Sequence, residues 1–169
     1  VGFGKIWRNL EKHVVWSVLS LDHSVRPPSQ ILGGRPLLDI QAEKTDGEFA
    51  FTGLITFNRV TLNVGNAMSS DGFVAPIAGH YKLSFSANGG WEKHGINTYV
   101  WVSKNGSRAF RISDSNDGSE SHGNNISHDW IWKLNKGDKV TFRVVSDSYL
   151  RAQPSVPLNF NGELVFVET

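Results

Sequence analysis

A chain of 169 residues, 39% of them hydrophobic, is long enough for one domain with a core and a short appendage. Its 17 basic and 16 acidic residues leave a net charge of +1, which gives no whole-molecule attraction to nucleic acid, and no apolar stretch is long enough for membrane insertion. Because the sequence has no cysteine, disulfide frameworks, thiolate metal sites and cysteine nucleophiles are excluded as well.

The first predicted element is a helix over residues 3–21. Its apolar residues recur at the spacing of a coiled-coil seam and are Phe3, Trp7, Leu10, Val14 and Leu21. The seam covers fewer than three heptads, so the helix would be marginal by itself. Two interpretations remain open: the helix joins the subunits of an oligomer, or it packs on its own domain.

A boundary follows this helix. The consecutive prolines in Arg26–Ser29 stop a helix, and Gly33-Gly34 adds a flexible joint. We therefore divide the chain into an N-terminal helical segment with its linker, residues 1–34, and a globular head, residues 35–169.

The head changes to hydrophobic alternation with a period of two. The alternation is clear in Tyr81–Phe85 and in Trp130–Leu134, where Trp130, Trp132 and Leu134 should face one way. Turn signals such as Lys104-Asn105-Gly106 separate the runs, and no helical pattern intervenes. The head is therefore predicted to be an all-β sandwich or jelly roll.

The run Gly72–Phe85 is similar to the central signature of complement C1q globular heads, roughly G-x-F-x-A-P-x-x-G-x-Y-x-F-x-F. One spacer residue is missing after Gly72, and Leu83 stands at an aromatic position. Other family motifs follow in the right order at Phe57–Gly65, Lys104–Gly106, Leu134–Val140 and Phe160–Leu164. The head thus resembles the C1q and tumour-necrosis-factor superfamily, and Phe49–Phe51 is more similar to invertebrate members.

The resemblance implies a ten-stranded jelly-roll sandwich preceded by a short N-terminal helix. It also implies a secreted, extracellular homotrimer that binds a glycan or protein ligand, with an innate-immune role as one expectation. Two alternatives share the fold: a trimeric signalling ligand for a cell-surface receptor, and a structural protein of an extracellular matrix. The sequence contains no motif of a nucleophile elbow, zinc protease or phosphate loop, so we expect no enzyme activity.

A polar insertion, residues 114–122, is the candidate calcium site. Asp114, Asp117 and Glu120 offer hard oxygen ligands, and Gly118 permits a tight turn. Calcium binding by several members of the resembled family favours this interpretation. The alternative is a solvated hairpin that holds no cation.

Ligand contacts are expected in the loops, where Trp91, Tyr149 and Arg151 offer aromatic surfaces and a cationic fork. Trp91 and Tyr149 could instead close an end of the sandwich, and Arg151 could instead pair with a neighbouring acid. Two sequons make Asn105 and Asn125 candidate glycosylation sites in a secreted protein.

Overall fold

The computed structural model describes residues 38–46, 52–89, 98–114, 125–145, 148 and 150–168. The helix predicted over residues 3–21 and its linker lie outside these ranges. The division at residue 34 therefore stays a prediction. Among the described residues, no helix is long and apolar enough to cross a bilayer.

The described residues form β-strands and no helix. The strands in chain order are β1 (Asp39–Lys44), β2 (Gly53–Leu54), β3 (Arg59–Val64), β4 (Met68–Ser69), β5 (Gly72–Val74), β6 (Gly79–Gly89), β7 (Thr98–Lys104), β8 (Ser107–Asp114), β9 (Asn125–Leu134), β10 (Lys139–Val144), β11 (Leu150–Arg151) and β12 (Leu158–Val167).

These strands make two antiparallel sheets. Sheet I has the order β3-β1-β12-β6-β9, with β11 paired to the far end of β6. Sheet II has the order β4-β5-β10-β7-β8, with β2 paired to the end of β10. Strands that are distant in sequence are neighbours in each sheet, as β1 and β12 are, so non-local pairing holds the sandwich together.

The core lies between the two sheets and is rich in aromatic rings. Phe85 stacks on Phe142 with ring centroids 4.9 Å apart, and Phe160 lies 5.0 Å from Phe142. Phe73 meets Tyr81 edge-on at 5.3 Å. Most aromatic residues of the C1q-like signature are therefore core residues that determine the fold.

Tyr81 shows how a polar group is accommodated in this core. Its ring is fully buried, and its hydroxyl donates a hydrogen bond of 2.7 Å to the backbone oxygen of Ile77. Burial raises the pKa of Tyr81 because the phenolate would lose its hydration. The hydrogen bond satisfies the one polar atom that this side chain brings into the core.

The prediction of an all-β sandwich is confirmed, but the prediction of ten strands is wrong because the described residues form twelve. β4 and β11 have two residues each and are held by backbone bonds, so they carry no alternating pattern. β2 pairs with β10 through Gly53 and Leu54, and the Ile55 amide still donates to the Phe142 oxygen at 2.8 Å. Beyond it the chain leaves β10, and the Phe57 amide donates to the Ser70 oxygen at 2.7 Å.

One carboxylate joins two hairpin turns. Asp138 accepts hydrogen bonds from the Lys104 ammonium at 2.8 Å, from the Asn105 amide at 2.7 Å and from the Asn135 backbone amide at 2.9 Å. Asn105 and Gly106 have positive φ angles of 52° and 80°, as the Asn-Gly turn signal requires. Lys104, with the two amide donors, lowers the pKa of Asp138 to about 2.

Candidate functional site

The outer face of sheet I carries exposed apolar side chains beside β6. Ile131 in β9 pairs with Lys82, and Phe166 in β12 pairs with His80, so both flank the same strand on its outer side. Each of the two apolar side chains is 61% exposed. A register shift leaves Val165 unpaired and 51% exposed. We call Ile131, Val165 and Phe166 the apolar patch.

A shallow polar depression of about 190 Å³ lies on the same face. Its lining consists of Asp39, Gln41, Lys82, Ser84, Asn161, Gly162 and Glu163. Lys82 lies 3.4 Å from the Glu163 carboxylate, and both side chains are about half exposed. An ion pair this exposed contributes little stability, so its charges are available to a partner. The depression and the apolar patch together make one continuous surface beside β6.

The open side of the sandwich, between β8 and β9, is closed by an aromatic cluster. Trp130 and Trp132 lie 5.2 and 5.7 Å from Phe110, both edge-on. His128 lies 5.3 Å from the same ring. The predicted common face of Trp130, Trp132 and Leu134 is therefore confirmed, and it points between the sheets.

The outer face of sheet II carries arginines over aromatic rings, a feature that the sequence patterns did not predict. The guanidinium carbon of Arg108 lies 5.2 Å from the Trp101 ring centroid, and that of Arg111 lies 4.4 Å from the Tyr99 centroid. Arg143 in β10 pairs with Trp101 from the other side. Both aromatic side chains are half-buried, whereas the three arginines are exposed.

The candidate calcium site lies almost wholly outside the described residues. Asp114 ends β8, where its backbone pairs with Thr98. Asp117 and Glu120 lie outside the described ranges. Elsewhere in the described part of the chain, no three His, Asp or Glu side chains are grouped to hold a metal. Calcium binding thus stays a prediction.

Of the three predicted ligand contacts, the structure describes only Arg151; Trp91 and Tyr149 lie outside. Arg151 belongs to β11 and pairs with Asn88 at the end of β6. Its guanidinium donates to the Gln153 side-chain oxygen at 2.7 Å, and the side chain is half-buried. This places Arg151 at the end of sheet I, where it also supports local structure.

The two sequon asparagines are in different settings. The Asn105 side-chain oxygen accepts from the Lys139 backbone amide at 2.8 Å, while its nitrogen donates to Asp138. Asn125 is the exposed first residue of β9. The side chain of Asn105 is therefore occupied in joining two turns, and Asn125 is the more open of the two glycosylation sites that stay predicted.

The two-sheet fold agrees with comparisons between this chain and known proteins. The family model described as C1q domain matches residues 40–165. The globular domain of a zebrafish complement 1qA protein is similar, with a TM-score of 0.61, 18% identity, and coverage of 78% of this chain and 99% of that chain. None of the curated proteins matches the sequence.

Two further solved structures have a similar fold. Murine APRIL at pH 5.0 has a TM-score of 0.57 and 15% identity, with coverage of 75% of this chain and 99% of that chain. Eiger TNF from S. frugiperda has a TM-score of 0.58 and 10% identity, with coverage of 80% and 97%. At these identities the likeness is one of fold.

Proposed function

Because the chain belongs to the C1q domain family, we propose that it is a secreted, homotrimeric recognition module that binds glycan or protein ligands and performs no catalysis. Domains of this family and of its tumour-necrosis-factor relatives typically trimerise and bind ligands or receptors. Residues 40–165 fall within the family match, so the recognition head is the part of the chain to which the proposal applies.

The apolar patch is the observation that best supports the proposed trimer. Scattered apolar side chains are ordinary on a protein surface, but Ile131 and Phe166 flank one strand on one face, each 61% exposed. Burial of two such side chains in a subunit interface would contribute a few kcal/mol per chain. A closed three-fold arrangement buries the same patch in every copy and leaves no copy uncovered.

The polar depression next to the patch supports the same assembly. Lys82 and Glu163 are of opposite charge and both partly exposed, so copies related by a rotation axis can exchange ion pairs across the interface. Apolar contacts would supply the affinity, and the charged pair would set the register between subunits.

Trimerisation matters for recognition because it presents three binding sites together. A weak contact in one head becomes a strong one when three heads engage a repetitive surface. We place the loop contacts at Trp91, Tyr149 and Arg151, and we assign a supporting calcium ion to Asp114, Asp117 and Glu120.

The test is a glycan and protein array probed with the wild-type chain and with Phe166→Asp. The wild type should bind a defined set of ligands, and the variant should give signals at least tenfold weaker because it binds singly. Trp91→Ala and Arg151→Ala should weaken binding while the trimer survives. Equal signals from a monomeric Phe166→Asp chain and from the wild type would contradict the multivalent module.

A further inference from the structure

A β-bulge in β8 brings two arginines to one face of sheet II. Residues three apart in a regular strand point to opposite faces, and Arg108 and Arg111 are three apart. The register shifts so that Arg108 pairs with Ser103 while Phe110 pairs with Val102, which leaves Ala109 unpaired. Bulges re-aim side chains in this way, and here the result is that both guanidinium groups lie on the outer face.

Aromatic rings hold these two guanidinium groups in place. Arg108 lies over Trp101 and Arg111 over Tyr99, with carbon-to-centroid distances of 5.2 and 4.4 Å. A stacked guanidinium loses less freedom when it binds an anion, and its N–H donors remain directed outward. The stacking therefore prepares both arginines for bidentate contacts with an oxyanion.

Arg143 extends this surface across the sheet. It pairs with Trp101 in β7, which pairs in turn with Arg111 in β8, so one row contains two arginines separated by one strand. Strand spacing puts the two arginine backbones about 10 Å apart. We call Arg108, Arg111 and Arg143, with Trp101 and Tyr99, the arginine face.

The cations of the arginine face lack carboxylate partners among the described residues. Other cations of the described sheets have carboxylate partners: Lys104 pairs with Asp138, and Lys139 pairs with Asp71. None of the ion pairs of the described residues includes Arg108, Arg111 or Arg143. A chain with a net charge of +1 thus concentrates on one sheet face three guanidinium groups that have no carboxylate partner in the described part of the chain.

We propose that the arginine face binds a sulfated polysaccharide. A guanidinium fork can donate two hydrogen bonds to two oxygens of one sulfate or carboxylate group, and a spacing of about 10 Å suits anionic groups repeated along a flexible chain. Nucleic acid fits less well, because arginines already cover both rings and leave bases no open platform, and the described residues form no broad basic track for a phosphate backbone. The proposal deepens the recognition function proposed above, on which it rests for its biological role, and gives that function a ligand class.

Heparin, a sulfated polysaccharide, is the probe. The full chain should be retained on a heparin column and should bind soluble heparin in calorimetry, more weakly as salt is raised. Arg111→Gln with Arg143→Gln should weaken binding about tenfold. The slope of log affinity against log salt should fall by about one for each arginine removed.

The matched control removes two cations elsewhere. Arg59→Gln with Lys136→Gln causes the same change in net charge, and both positions are exposed and lie outside the arginine face. Its heparin affinity should stay within about twofold of the wild type. A triple change of Arg108, Arg111 and Arg143 to Lys keeps the charge but removes the planar fork, and it should lose at least about threefold.

Several results would overturn the proposal. An equal loss in the matched control would reduce the effect to net charge, and full affinity in the lysine variant would contradict recognition by guanidinium forks. Tighter binding of duplex DNA or polyglutamate than of heparin, at equal charge concentration, would assign the face to another ligand class. Unchanged melting curves confirm that each variant folds.

Light scattering on the same samples separates this proposal from the proposed trimer. A monomeric wild type whose heparin affinity still depends on Arg111 and Arg143 would contradict the trimer and support the arginine face. A stable trimer that does not bind heparin would contradict the role proposed for the arginine face and leave the proposed trimer unaffected.

Discussion

Asp138 allows a quantitative test of how the sandwich closes its turns. Its side chain is 12% exposed and accepts hydrogen bonds from Lys104, Asn105 and the Asn135 backbone. A fall in pKa from 3.8 to about 2 corresponds to about 2 kcal/mol of preference for the ionised carboxylate. Because the Lys104 side chain is 32% exposed, solvent screens the pair and leaves on the order of 1–2 kcal/mol.

The change Asp138→Asn should therefore lower the free energy of unfolding by about 1–2 kcal/mol at pH 7. For a domain of this size, that loss is about 3–6 °C in Tm. A folded-state pKa below the unfolded value stabilises the fold above the unfolded pKa of about 4, and the stabilisation is lost as pH falls towards 2. The difference between wild type and variant should thus be full at pH 7 and shrink between pH 4 and pH 2.

Denaturant unfolding across this pH range measures the effect. Asp129→Asn is the control, because Asp129 is an exposed carboxylate that takes no part in the ion pairs of the described residues. Its stability should stay within about 0.5 kcal/mol of the wild type. A loss at Asp138→Asn that is the same at pH 2 and pH 7, or no loss at all, would refute the assigned role of the carboxylate.

Two other changes probe backbone fit and metal binding. Gly72→Ala should lower the free energy of unfolding by about 3 kcal/mol or more. Gly72 has a φ of 146°, and a Cβ there would collide with the Val140 carbonyl oxygen. Gly106 has a φ of 80° and open space around it, so the control Gly106→Ala should lower the free energy of unfolding by only about 1 kcal/mol. Equal losses of stability in thermal melting of the two variants would contradict the collision. Calorimetry should show calcium binding that disappears when Asp114 and Asp117 are both changed to Asn. A melting temperature that is the same with calcium and with chelator would count against a structural ion.

The sequence predicted the long strands well because their burial follows a simple alternation. Strand β6 alternates between buried and partly exposed residues along its whole length, and the Trp130–Leu134 pattern identified the inward face of β9. The strands of two residues could not be predicted in the same way. β4 is defined by its backbone pairing with the neighbouring strand β5 and β11 by its pairing with the distant end of β6, and no periodic side-chain pattern marks either strand.

The arginine face was missed for a physical reason. A period of two assigns Arg108 and Arg111 to opposite faces, and only the unpaired Ala109 brings them together. Arg143 is distant in sequence and joins them through the pairing of β10 with β7. The one local signal was the alternation of Tyr99 and Trp101 with buried valines, which predicts two aromatic rings on an outer face.

The same limitation applies to the apolar patch. Phe166 follows the unpaired Val165, so the regular alternation of β12 does not predict that both are exposed. Their exposure became visible once the register with β6 was known. A bulge near a strand end is thus one reason that both proposed functional surfaces were not predicted from the sequence.

Sedimentation equilibrium of the full chain tests the trimeric head most directly. The wild type should sediment at three times the 18.7 kDa chain mass at micromolar concentration, and Phe166→Asp should shift it towards a single chain without unfolding. Arg111→Gln, a control that changes an exposed charge on the outer face of sheet II, should remain trimeric. A monomeric wild type, or a Phe166→Asp chain that stays trimeric with unchanged affinity between subunits, would contradict the assignment of the apolar patch to the subunit interface.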